Sequence, residues 1–203
     1  MKSFNESHQK INSPVRTDKI YIWDPLIRIF HWTLVVAFSI AFISEDDYLT
    51  IHSWAGYTIL SLLMIRILWG FVGTKHAKFS DFVFSKQDIT QFIKDTLLFK
   101  AKRYLGHNPA GGAMVILLIF SLLFTACSGL VIFAIEEGQG PLAFLLSEVS
   151  SNWGDIVEEI HEFFANFTLF LIAVHIAGVI IESLIHSENL IKSMFTGTKR
   201  RIK

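Results

Sequence analysis

Four histidines, His31, His52, His161 and His175, lie within or at the mouths of strongly apolar stretches. An ionisable side chain in such a place is costly to bury in hydrocarbon, and by default it faces the interior of a bundle and does work there. His161 and His175 are fourteen residues apart, which on an ideal helix is a rise of roughly 21 Å at a rotation of roughly 40°. One helix therefore carries two imidazoles, one above the other, on nearly the same face. Imidazoles that meet across facing helices fill both axial positions of haem iron, and the chemistry left to such a site is electron transfer rather than oxygen activation. The single cysteine, Cys127, allows neither a CxxCH attachment nor an iron–sulfur cluster, so any haem here must be held without a covalent bond, as b-type haem is.

The elements that must position these groups are legible from composition. The chain has 203 residues, of which 52% are hydrophobic and 14% aromatic, with a positive mean hydropathy, a bias too apolar for an ordinary soluble domain. A spanning helix needs roughly 20 apolar residues, and four stretches supply them, at about 27–44, 51–72, 113–135 and 163–185. The expected fold is all-α, a four-helix transmembrane bundle forming one cytochrome b-like domain over 1–203. Trp23, Trp32, Trp54, Trp69 and Trp153 fall near the ends of these spans, and Asn108-Pro109 reads as the cap and first turn of the third. The polar start MKSFNESHQKINSPVRTDK has no signal-peptide core, so the first span is expected to remain in the mature protein.

Charge orients the bundle. All eighteen Lys and Arg fall in the N-terminal segment, the end of the second span with the loop after it, or the C-terminal tail. The other two loops hold only acids: Glu45, Asp46 and Asp47 in one, and Glu136, Glu137, Glu148, Asp155, Glu158, Glu159 and Glu162 in the other. Cations are retained on the cytoplasmic side, so both termini are expected there. With that orientation His31 and His175 share a cytoplasmic level, while His52 and His161 share an exoplasmic one. Two haems b at two depths follow, with His31, His52, His161 and His175 as their iron ligands.

Haem propionates need cations. Arg66 is fourteen residues beyond His52, and Arg28 is about one turn before His31; both could bind the inner haem, or both could be ordinary interface arginines. Gly56, Gly70, Gly111, Gly112, Gly129 and Gly178 leave room either for macrocycles or for close helix packing. His107 and His186 are candidates for a quinone or propionate contact, with His186 too deep to be an iron ligand; His8 and His76 read as solvated. Cys127 reads as a small buried hydrophobe. The loop from about Ser80 to Tyr104 has apolar residues at near-helical spacing, giving an amphipathic cytoplasmic helix that lies on the membrane or packs on the bundle. Pro141 to Ser150 reads as a short helix over the other end.

The segments WDPLIRIFHW, HSWAGYTILSLLMIRILWGFVG, GHNPAGG, the His161–His175 pair and HSENLIKSMFTGTKR resemble the bacterial cytochrome b561 and nickel-iron hydrogenase cytochrome b-subunit family, over about Lys19 to Arg201. The resemblance implies two haems b in a four-helix core with the four named histidines as axial ligands. It also implies electron passage between an exoplasmic redox partner and membrane quinone, as a quinone-reactive oxidoreductase subunit. The exoplasmic acids suit a basic c-type cytochrome or a periplasmic redox enzyme; nucleic acid is not an expected partner, and a homodimer is compatible. Two other readings stand beside the electron conduit: a membrane anchor that docks a partner enzyme with haem structural or absent, and a small-solute or metal carrier using the buried histidines.

Overall fold

The computed structural model describes residues 19–45, 48–146, 149 and 151–201. His8, Asp46, Asp47 and Glu148 lie outside them. The described chain runs β1 (Lys19–Tyr21), α1 (Pro25–Ser44), α2 (Leu49–Val72), a 3-10 turn at Lys75–Ala77, α3 (Phe79–Phe82), α4 (Lys86–Leu97), α5 (Pro109–Ile135), α6 (Ala143–Leu146), α7 (Ser151–Ile185), α8 (Leu190–Thr196) and β2 (Thr198–Arg200). Four of these helices, α1, α2, α5 and α7, are long and apolar enough to cross a membrane.

Their starts are written in the sequence. Asp24 caps α1 by accepting from the Ile27 N–H at 3.0 Å, with Pro25 in the first turn. Asn108 does the same for α5 by accepting from the Gly111 N–H at 2.6 Å, followed by Pro109; in each case the side-chain oxygen satisfies a backbone donor that has no helical partner. The fourth span departs most from expectation, because α7 has 35 residues and starts twelve before residue 163. At 1.5 Å per residue that is roughly 52 Å, against a hydrocarbon core of roughly 30 Å. The extra turns carry Asp155, Glu158, Glu159 and Glu162, which hide them from an apolar-run criterion while doing nothing to stop a helix.

The helices pack as α1 on α2, α2 on α5 and α5 on α7. Ala37, Ala41 and Ala55 lie in the core with Ile59, Leu63 and Leu122, and small side chains of this kind let helix backbones approach closely. Between α5 and α7 the hydroxyls of Ser121 and Thr168, both fully buried, are 2.7 Å apart. The outer faces expose Ile29, Val36, Leu68, Phe71, Phe170 and Leu184, an apolar surface suited to lipid rather than water. α4 packs on α5 through the buried Phe92, and it leaves Ile93, Leu97 and Leu98 exposed. The amphipathic segment therefore leans on the bundle and keeps an apolar strip outward. In the segment 141–150, α6 is a single short turn of helix against α5.

One end of the bundle collects β1, β2, α3, α4 and α8, and is called here the basic end. β1 and β2 pair antiparallel, with Ile20 opposite Lys199. Gly197 ends α8 at φ 78 and accepts from the Ile22 N–H at 2.8 Å and the Trp23 N–H at 3.1 Å. Positive φ favours glycine, and a Cβ there would also lie 2.7 Å from the Trp23 carbonyl oxygen. Arg103 grips Glu188 at 2.9 Å, and Glu188 accepts from the Arg200 N–H at 3.0 Å. Burial alone would raise the Glu188 carboxyl, but the Arg103 hydrogen bonds, the Arg200 N–H and the charges of Arg103 and Lys199 hold it below its ordinary value.

Candidate haem-binding core

At the acidic end, His52 in the first turn of α2 faces His161 of α7, with ring centroids 6.0 Å apart and planes at 64°. His52 Nδ1 is 2.9 Å from the Ala41 carbonyl oxygen of α1. His161 Nδ1 is 2.9 Å from the Thr125 carbonyl oxygen and 3.2 Å from Ser128 Oγ, both on α5. A carbonyl oxygen can only accept, so each Nδ1 carries the proton and donates it, and the lone pair of each ring sits on Nε2. That is the arrangement of a metal-ligating imidazole, whose second nitrogen is held by a carbonyl that fixes its tautomer and tilt. All four spans take part, two supplying the rings and two supplying the carbonyls. Gly129 is the enabling residue on α5, since a Cβ there would be 3.0 Å from His161 Cε1.

On α7, residues 161, 168, 175 and 182 repeat every seven positions as His, Thr, His and Glu. This polar stripe is the inner face of the helix: His161 and Thr168 both reach α5, and Glu182 is buried at the basic end.

His31 of α1 and His175 of α7 lie at the basic end, close enough for His175 to act on His31 electrostatically. Their surroundings differ from those of the acidic-end pair. Every buried side-chain polar atom without a hydrogen bond among the described residues is at this end: His31 Nδ1, Arg28 Nε, Trp32 Nε1, Arg66 Nη1, His107 Nδ1, Glu182 Oε1 and His186 Nε2. Arg66 is only 3% exposed, with its guanidinium 5.1 Å from the Phe79 ring centroid and 5.7 Å from that of Phe82. His107 sits between Trp23 and Phe82, with centroids at 4.8 and 4.5 Å. Burial, followed by the charges of Arg66 and Lys199, pushes His107 down to about 3, so this ring is neutral. Buried polar groups are normally satisfied, and a cluster of orphans rich in cations fits a ligand with an anionic edge. Imidazoles at two depths together with buried cations at one of them match iron ligands and propionate partners.

The relation of α1 and α2 to α7 fits the same group. Neither α1 nor α2 packs extensively on α7, although each histidine pair bridges to it. A Cβ added at Gly56, one turn from His52, or at Gly178, one turn from His175, would meet nothing within 4 Å.

The family model described as prokaryotic cytochrome b561 matches residues 22–197. The chain belongs to that family. A b-type cytochrome carries haem b and transfers electrons across a membrane. Relatives named probable Ni/Fe-hydrogenase B-type cytochrome subunits include one from Rhizobium leguminosarum bv. viciae, 25% identical over 91% of this chain and 90% of its own length. Another, from Rhodobacter capsulatus, is 21% identical over 94% of this chain and 85% of its own. A third, from Bradyrhizobium diazoefficiens, is 26% identical over 89% and 86%. No solved structure matches the chain.

Several residues of this cytochrome b561 stand elsewhere than the sequence suggests. Arg28 Nη1 donates to the Phe195 carbonyl, so this arginine braces α8 while its Nε remains orphaned. His76 is half-buried, with Nδ1 2.8 Å from Asp81 Oδ2, and is not a freely solvated loop residue. Cys127 is exposed on the outer face of α5, where a small apolar thiol suits lipid as well as it suits a core. Gly70 faces the Phe79 ring, and Gly112 admits the Phe82 carbonyl of the basic-end loop; both serve protein packing, and Gly111 is part of the Asn108 cap. Sequence reasoning missed Asp24, which accepts from Trp69 Nε1 at 3.1 Å and from the Thr74 hydroxyl, tying α1 to the end of α2. It also missed Lys199, whose place in a run of tail cations gives no hint that it is buried.

Proposed function

We propose that the chain binds two haems b, one held by His52 and His161 and one by His31 and His175, and that it carries electrons between a redox partner at the acidic end and quinone near the basic end. The carrying observation is α7, a single continuous helix that bears one ligand of each pair, with the acidic-end pair already set in the ligating tautomer. Haem supplies one-electron chemistry between ferric and ferrous iron. The chain fixes the tautomers of His52 and His161; the four imidazoles would hold the two irons, and Arg66 would serve the inner haem. Positive-inside bias puts the basic end in the cytoplasm of a bacterial inner membrane. The test is a reduced-minus-oxidised spectrum with haem quantified per chain: a sharp alpha band at two haems per chain is expected, and a purified chain with one or none overturns the pairing.

The relatives' names favour a Ni/Fe hydrogenase as the partner enzyme, and they equally favour the reading in which the chain is that enzyme's membrane anchor. A full complement of reducible haem supports conduction, whereas a haem-free chain that still holds its partner supports anchoring. Quinone is placed around Arg28, His31, Arg66, His107 and His186, where the orphaned polar atoms gather. Quinone analogues should therefore perturb the spectrum of the His31–His175 haem, and an effect on the other haem alone would move the site.

The partner surface is acidic. Glu136, Asp155 and Glu158 bring carboxylate oxygens within 4.8 Å of one another, beside Glu159 and Glu162 on the projecting turns of α7. A field of this sign speeds encounter with a basic patch and is screened over roughly 8 Å at physiological salt. Electron exchange with a cationic donor is expected to slow as salt rises, and to slow further when Glu158 and Glu159 are both changed to Gln. A salt-independent rate would leave membrane insertion as the only reason for the acids.

A further inference from the structure

Lys199 is the least explained cation in the molecule. It lies on β2 and is 7% exposed. Its ammonium is 5.6 Å from the Trp23 ring centroid and makes one long contact, 3.5 Å to the Gly106 carbonyl oxygen. Among the described residues no carboxylate is within ion-pairing distance of it; Glu188 is taken by Arg103 and by the Arg200 N–H. Glu188 and, more weakly, Glu182 act on Lys199 electrostatically without pairing with it, and Glu182 lies beside His186 at 3.3 Å. Burial pushes Lys199 down to about 8. A buried charge without a partner is strongly unfavourable, yet the chain goes to some length to put one here. The left-handed turn at Gly197, the β1–β2 pairing and the Arg103–Glu188–Arg200 clasp together fold the tail back under the bundle. Lys199 and His107 both lie against the Trp23 ring, and His107 feels Lys199, Arg66 and His175 together, which brings Lys199 to the end of the bundle that carries the inner histidine pair.

We propose that Lys199 is an anion-binding residue of the basic-end haem, sharing the propionate carboxylates with Arg66, so that the C-terminal tail is the floor of that haem site. This rests on the two-haem reading. It gives the tail a function beyond topology: the segment from Gly197 to Arg200 is latched by the cofactor as well as by β1. A lipid phosphate offers the same anionic oxygens, but the enclosure of Lys199 beneath Trp23 and beside His107 favours a ligand that already lies between the helices.

The experiment is a potentiometric titration of the purified full-length chain, wild type against Lys199→Met and Lys199→Arg, with haem counted per chain. Loss of a positive charge beside a haem disfavours its reduction. Lys199→Met should therefore weaken reduction of one haem about tenfold, which is about 59 mV for a one-electron couple. The other haem should be unmoved, and Lys199→Arg should stay close to wild type. Equal potentials in wild type and Lys199→Met, or equal shifts of both haems, overturn the proposal. A wild-type chain that binds no haem overturns the two-haem reading itself, and is told apart by the count.

A second measurement does not depend on the variants folding. In membrane vesicles with the basic end accessible, trypsin cleavage after Lys199 and Arg200 should be several-fold slower in haem-replete than in haem-depleted wild type, with cleavage after Lys100 and Lys102 as the internal reference. Tail protection that is indifferent to haem, or that follows anionic lipid content instead, overturns the assignment.

Discussion

Replacing His175 with alanine is expected to remove about half of the bound haem and leave the remainder spectroscopically intact, because loss of an axial imidazole releases the iron it holds. His175 is half-buried in the middle of the longest helix. The next histidine toward the basic end is His186, one residue past the end of α7 and 3.3 Å from Glu182. No other imidazole on α7 is at the level of His31. His161→Ala should remove the other half, and the two difference spectra should add up to that of the wild type. Haem counted per chain and the shape of the alpha band are the measurements; a His175→Ala chain with full haem and an unchanged spectrum would refute the ligand assignment.

The second large effect is expected at a residue that touches no cofactor. Gly129→Val puts two methyl groups where even a Cβ is 3.0 Å from His161 Cε1. The imidazole then has to swing away from the Thr125 carbonyl that sets its tautomer. Forcing a side chain out of a filled space costs roughly 1–3 kcal/mol, equivalent to roughly a five- to 150-fold loss of affinity at that site. The acidic-end haem should become readily lost on dilution while the basic-end haem is retained. Gly129→Ala is the graded control with a smaller loss. Loss of both haems together would mean that the substitution unfolds the α5–α7 pair, and the placement of the His161 ring against Gly129 would then not be what it reports.

How much of this was legible beforehand follows from the range of the interactions. The Asn108-Pro109 cap and the fourteen-residue spacing of His161 and His175 are local and appear directly in the sequence. The four spans are legible for the same reason, since hydrocarbon imposes an unbroken apolar run. The projecting turns of α7 escaped because helix propensity and membrane solubility are different properties, and acids defeat only the second. Lys199 escaped because its burial depends on pairing with residue 20, a contact across almost the whole chain that no periodicity records. Arg28 also has a partner that spacing could not supply, the Phe195 carbonyl on α8, because that helix comes close only once the tail has turned back. Glu182 and Thr168 could have been found, since they continue the seven-residue stripe of the two histidines, but an acid and a hydroxyl attract less notice than an imidazole.

The antiparallel pair of β1 and β2 also sets an order of events in biogenesis. Lys19–Tyr21 is synthesised before any of the four long helices, and Thr198–Arg200 after all of them, so one strand waits through the insertion of the whole bundle for the other to appear. Until β2 has emerged from the ribosome, Trp23 and His107 lack the strand whose Lys199 packs on Trp23. On the two-haem reading, that interval is when a bulky cofactor would enter from the basic end, before the strand pairing closes over it.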